Sequence, residues 1–116
     1  MSKKRIINAL KKFELSTTDI QVYVFLAKQG PAEMSDLASM LNLNERKIHS
    51  SLKDLRNLGI VKASNGYPQE LIAVPFEEAI DLLVEVRKEQ AKAIQEAKDE
   101  LLCIWQKMTK EKSEKI

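Results

Sequence analysis

Histidine and cysteine occur once each in this chain of 116 residues, as His49 and Cys103. One of each cannot supply a Cys/His metal set, and a single cysteine cannot build a disulfide framework. Glycine and proline number 3 each, aromatic residues make up 5% of the chain, and no glycine-rich phosphate loop occurs. The longest apolar runs, such as Val22 to Ala27, fall far short of the roughly 20 residues that cross a bilayer, so no membrane partner is expected. The opening residues Lys3, Lys4 and Arg5 are basic, but Asn8, Lys11 and Lys12 interrupt any apolar run behind them. No secretory signal is read there, and a cytoplasmic location is expected. The carboxylates are scattered, without a Ser/His/Asp set, so the expectation is a protein that is not an enzyme and uses no cofactor.

What is present suits a folded domain. Hydrophobic residues reach 44% and charged residues 31%, enough for both a core and a soluble surface. The net charge of +2 conceals an asymmetry. Residues 1–75 hold 11 Lys and Arg against 7 Asp and Glu, a net of +4, whereas residues 76–116 hold 8 against 10, a net of −2. An anionic partner would meet the first segment.

Local signals divide residues 1–75 into four helices and a hairpin. Ile6, Leu10 and Phe13 recur at helical spacing in a short opening helix. Ser16 and Asp19 form a capping-box pair before a helix over about 17–29, ended by Gly30 in a left-handed conformation and by Pro31. Leu37, Ala38 and Leu41 mark one face of the next helix, and Ile48, Leu52, Leu55 and Leu58 one face of the fourth. Between those two helices Asn42 is suited to the positive φ of a tight turn, and Asn44 to an N-cap. After Gly59, residues 60–64 and 70–74 are strand-like, with the turn-prone Asn65-Gly66 between them.

After Pro75 no glycine or proline occurs, which predicts one long helix to about Thr109 with a charged, fraying end beyond. Its heptad seam runs Phe76, Ile80, Leu83, Arg87, Gln90, Ile94, Ala97, Leu101, Ile104, Met108. A seam that long calls for another chain, and a homodimer is the simplest source. The expected dimer residues are Ile80, Leu83, Ile94, Ala97, Leu101, Ile104, Trp105 and Met108, with Cys103 packing beside them as a small apolar side chain.

Helix, tight turn, helix and hairpin is the winged helix-turn-helix order. The expected fold is therefore mainly α with a small β-hairpin, a winged helix-turn-helix domain over 1–75 followed by a coiled-coil dimerisation helix over 76–116. With its leucines turned inward, the helix at about 44–58 shows Glu45, Arg46, Lys47, His49, Ser50 and Lys53 outward. The candidate DNA contacts are Asn44, Arg46, Lys47, His49, Ser50 and Lys53, while Glu45 suits the helix N-terminus as an acid. Donors near a helix N-terminus suit the DNA major groove. Lys62, Asn65 and Tyr67 on the wing at about 60–74 would lie over the adjacent backbone.

These landmarks together resemble the DNA-binding domain of the TrmB family of transcriptional regulators, a family best represented in archaea. The resemblance covers about residues 10–80 and rests on Leu15 to Asp19, Tyr23, Gly30-Pro31-Ala32, Asp36-Leu37-Ala38, Lys47-Ile48, Leu58-Gly59-Ile60-Val61, Gly66-Tyr67-Pro68 and Ala73 to Ala79. It implies operator binding by the winged helix. The family wing is usually more basic where Gln69 and Glu70 stand here. No small-molecule effector is expected from these residues. The reading is thus a sequence-specific, homodimeric regulator of double-stranded DNA; a winged-helix protein interaction adaptor and a general architectural DNA-binding protein are the alternatives.

Overall fold

A computed structural model describes the backbone of residues 2–114 and the side chains of residues 3–110. Four helices, α1 Ser2–Lys11, α2 Thr17–Gln29, α3 Met34–Leu41 and α4 Glu45–Leu58, precede the strands β1 Val61–Ala63 and β2 Leu71–Ala73; α5 Phe76–Glu96 and α6 Lys98–Glu114 follow. Two compact units result, one ending at Val84 and the other beginning at Glu85. Lys115 and Ile116, part of the end expected to fray, lie outside the described residues.

Each boundary in the first unit has a local cause. At the start of α2 the Ser16 hydroxyl accepts from the Asp19 N–H at 3.0 Å, and the Asp19 carboxylate accepts from the Ser16 N–H at 3.4 Å. This closes the expected capping box. Gly30 ends α2 at φ 92°, ψ −173°, not in the left-handed helical conformation expected of it. The extended ψ follows from Pro31, whose ring disfavours helical geometry in the residue before it. Gly59, with no proline behind it, takes φ 85°, ψ 7° at the end of α4. There the Gly59 N–H donates to Arg56 O at 3.0 Å and the Ile60 N–H to Leu55 O at 3.1 Å. Ile60 and Leu55 are both fully buried, the apolar contact that accompanies this type of helix end.

The strands form an antiparallel hairpin in the register Val61↔Ala73, Lys62↔Ile72, Ala63↔Leu71. Further bonds, Val74 N–H to Ile60 O at 3.0 Å and Ser64 N–H to Glu70 O at 2.8 Å, extend the pairing across the expected 60–64 and 70–74 segments. On its other edge β2 is bridged by Ala32, whose N–H donates to Leu71 O and whose carbonyl accepts from the Leu71 N–H. That third, one-residue partner has no periodicity and was not anticipated from the sequence.

The core lies where α2, α3, α4 and the hairpin meet. Leu10, Val22, Tyr23, Leu37, Ile48 and Leu55 are among its buried members, and full burial of each large side chain contributes about 2 kcal/mol. Ala79 and Leu83 of α5 belong to the same core, with Ile80 packed against it. This corrects the expected dimer seam. Leu83 is only 3% exposed, so it is spent within the head, Ile80 is half-buried against the same core, and the first compact unit extends past residue 75.

In the second unit, helical hydrogen bonding passes through the junction of α5 and α6: the Ala97 N–H donates to Ala93 O at 3.1 Å and Ala97 O accepts from the Leu101 N–H at 2.9 Å. Ile94, Leu101, Ile104, Trp105 and Met108 are exposed, and Ala97 is half-buried. Among the described residues no helix is long and apolar enough to cross a membrane.

Candidate nucleic-acid interface

The turn joining α3 to α4 sets the direction in which α4 points. Asn42 adopts φ 54°, ψ 47° and donates its N–H to Ser39 O, while the Leu43 N–H donates to Ala38 O at 3.1 Å. Asparagine tolerates this left-handed geometry better than other residues that carry a β-carbon. Two residues later the Asn44 side-chain oxygen accepts from the Lys47 N–H at 2.8 Å. That bond caps α4 by taking up the Lys47 N–H, and the helix N-terminus carries partial positive charge.

Periodicity then sorts the side chains of α4. Ile48, Ser51, Leu52 and Leu55 are buried, and α4 packs on α2 and α3. Arg46, Lys47, His49, Ser50 and Lys53 are all exposed. Asn44, Arg46, Lys47, His49, Ser50 and Lys53 are therefore brought onto one outward flank, as the spacing predicts. Arg56 extends that flank one turn further and is also exposed. It was missed because it lies beyond the helix N-terminal half on which the sequence reasoning concentrated; its signal is its spacing of i+3 from Lys53.

Beside the Ala32–Leu71 bridge, a buried side-chain bond ties the base of the wing to the head. Tyr23 on α2, 1% exposed, donates its hydroxyl to Val74 O at 2.7 Å. Burial pushes the Tyr23 phenol above its ordinary value of 10.0, because ionisation would place a charge away from water. The hairpin loop is braced at its base, where the Glu70 N–H donates to the Ser64 hydroxyl at 2.9 Å. Lys62, Asn65 and Tyr67 stand exposed on the wing, Tyr67 completely so. Gln69 and Glu70 are exposed beside them, so the positive charge of the wing resides in Lys62.

A separate hollow of about 390 Å³ lies between α1 and α2, floored by Ile7, Ile20, Val24 and Phe25 and flanked by Lys3 and Lys28. None of the proposed DNA-contacting residues lines it. Among the described residues no group of three or more His, Cys, Asp or Glu is placed to hold a metal ion.

Known proteins share this arrangement. The uncharacterized protein MJ1503 of Methanocaldococcus jannaschii is 28% identical over 83 residues, covering 66% of this chain and 63% of its own length. The chain thus spans less than two thirds of that relative. Among solved structures, TrmBL2, described as an archaeal chromatin protein with a novel mode of DNA binding, matches with a TM-score of 0.68 at 27% identity, over 88% of this chain and 41% of its own. A possible transcriptional regulator from Methanosarcina mazei shares the fold with a TM-score of 0.60 at 16% identity, over 82% of this chain and 87% of its own. The profile of the family described as sugar-specific transcriptional regulator TrmB matches residues 10–77, the segment that carries the helix-turn-helix and the wing, and the chain belongs to that TrmB family.

Proposed function

We propose that this protein is a DNA-binding transcriptional regulator that acts as a homodimer, with α4 in the major groove and the wing on the adjacent backbone. The observation that carries the reading is the division of α4. Its apolar side chains are fully used inside the head, while Arg46, Lys47, His49, Ser50 and Lys53 stand exposed on its other side. A helix so divided has one flank free for a ligand, and the chemistry of that flank is cationic and hydrogen-bonding, as phosphate and base edges require. Family membership and the likeness to TrmBL2 support the same reading. Arg46 near the capped end is assigned to base edges, whereas Lys47, Lys53 and Lys62 are assigned to phosphates. His49 and Ser50 lie between them on the same flank.

The homodimer reading rests on the second unit, where an apolar row stands exposed to solvent. Two copies would present two α4 helices, and a preferred site would then carry two related half-sites. Selection of bound duplexes from random DNA tests the reading: enrichment of a paired motif supports it, and recovery of unselected sequence at undiminished affinity contradicts sequence preference. That second outcome favours a general architectural DNA binder, a reading to which TrmBL2's description as a chromatin protein lends support. Failure to bind any duplex at low salt would reject both in favour of a protein interaction adaptor.

A further inference from the structure

The exposed row of the second unit carries more than apolar surface. On the heptad that passes through Ile94, Ala97, Leu101, Ile104 and Met108, the positions flanking the row are Lys98 and Trp105 on one side and Glu100 and Lys107 on the other. All four flanking side chains are exposed, Trp105 at 61%. Resting on the homodimer reading above, we propose that this row pairs antiparallel with the same row of a second copy, centred between Leu101 and Ile104.

Flanking charges set the direction of such a pair, because each direction brings different positions together. With the helices antiparallel and centred there, Leu101 meets Ile104 of the partner subunit, and Ala97 meets Met108 of the partner subunit, small against large. Each layer occurs twice by symmetry. On one flank Glu100 faces Lys107 of the partner subunit, and on the other Lys98 lies beside Trp105 of the partner subunit. The first is an ion pair and the second a cation over an indole ring, and both are also repeated. With the helices parallel and in register, Glu100 loses the lysine and falls beside Trp105 of the partner subunit. Arg87, further along the row, then faces Arg87 of the partner subunit. The antiparallel arrangement thus gives Glu100 a lysine and Lys98 an indole ring, pairings that the parallel one does not make.

Charge reversal in the full chain, read by sedimentation equilibrium, tests the direction. Glu100→Lys sets two like-charged pairs in each dimer and raises the dimer dissociation constant about tenfold; Lys107→Glu does the same. Combining the two restores the cross pairs and returns the constant to within about threefold of wild type. In a parallel dimer residues 100 and 107 do not meet across the pair, so combining the two changes would bring no recovery. An independent distance comes from spin labels on Lys92→Cys with Cys103→Ser, both on the outer side of the helix. Residue 92 would lie about 35 Å from its copy in the antiparallel pair and about 20 Å in the parallel one, from the helical rise. The long distance together with rescue supports the proposal. A dimer with the short distance, or without rescue, overturns the antiparallel pairing and leaves the homodimer reading standing, whereas a wild type that stays monomeric at every concentration removes both.

Discussion

Replacing Lys47 by alanine separates a DNA contact from a solvated surface lysine. Its side chain is exposed and its part in capping α4 is played by the backbone N–H, which alanine keeps, so the fold should be unaffected. Each phosphate neutralised contributes about 0.9 to the steepness with which log affinity falls against log salt concentration. If the side chain meets one phosphate per protomer, a homodimer loses two contacts and the slope falls by about 1.8. Between about 50 and 200 mM salt the ratio of wild-type to variant affinity should then shrink about twelvefold. Fluorescence anisotropy on one labelled duplex across that range measures it, with Lys92→Ala as a control, since Lys92 lies on the second unit near Glu96 at 4.0 Å. A Lys47→Ala slope equal to that of wild type would refute the placement of α4 against the phosphates.

Other consequences are open to equally direct tests. Asn44→Ala removes the cap of α4 and should cost about 1 kcal/mol, a fall of roughly 4–8 °C in the melting temperature of a unit this size; an unchanged melt would mean that the 2.8 Å bond contributes nothing. Tyr23→Phe leaves Val74 O without its partner and should cost about 1–2 kcal/mol at neutral pH. Because the folded-state phenol is raised above 10.0, its stabilisation is complete below pH 10.0 and is lost as pH rises from there through the folded value, since the unfolded tyrosine gives up its proton first. The wild-type advantage over Tyr23→Phe in chemical denaturation should therefore shrink only above that pH, and a shrinkage beginning near neutrality would contradict the assignment. Leu101→Lys with Ile104→Lys should give monomers in sedimentation and weaken binding to a paired site while leaving the melt of the first unit in place, as both residues lie outside its core.

The parts of the fold that could be read in the sequence are those with local causes. Ser16 with Asp19, Asn42, Asn44 and Gly59 each act within a few residues of chain, through a cap or a positive φ, and each was found in the role its chemistry implies. The outward flank of α4 was legible for the same reason, since helical period alone separates Ile48, Leu52 and Leu55 from Arg46, Lys47, His49 and Lys53. What could not be read depends on distant partners. The bridge from Ala32 to Leu71 joins residues far apart in the chain. The burial of Leu83 depends on how far α5 packs along the head, which a heptad pattern cannot distinguish from contact with another chain. Arg56 was missed through emphasis on the start of the helix, although its period places it on the same flank.

The most direct test of the account follows the backbone amides of the labelled protein by NMR while a duplex that it binds is added. Perturbations should concentrate at residues 44–53 and on the wing near 62–67, with weak change in the buried positions of α2. If a bound duplex instead perturbed α5 and α6 and left residues 44–53 in place, the outward face of α4 would not be the DNA-binding surface.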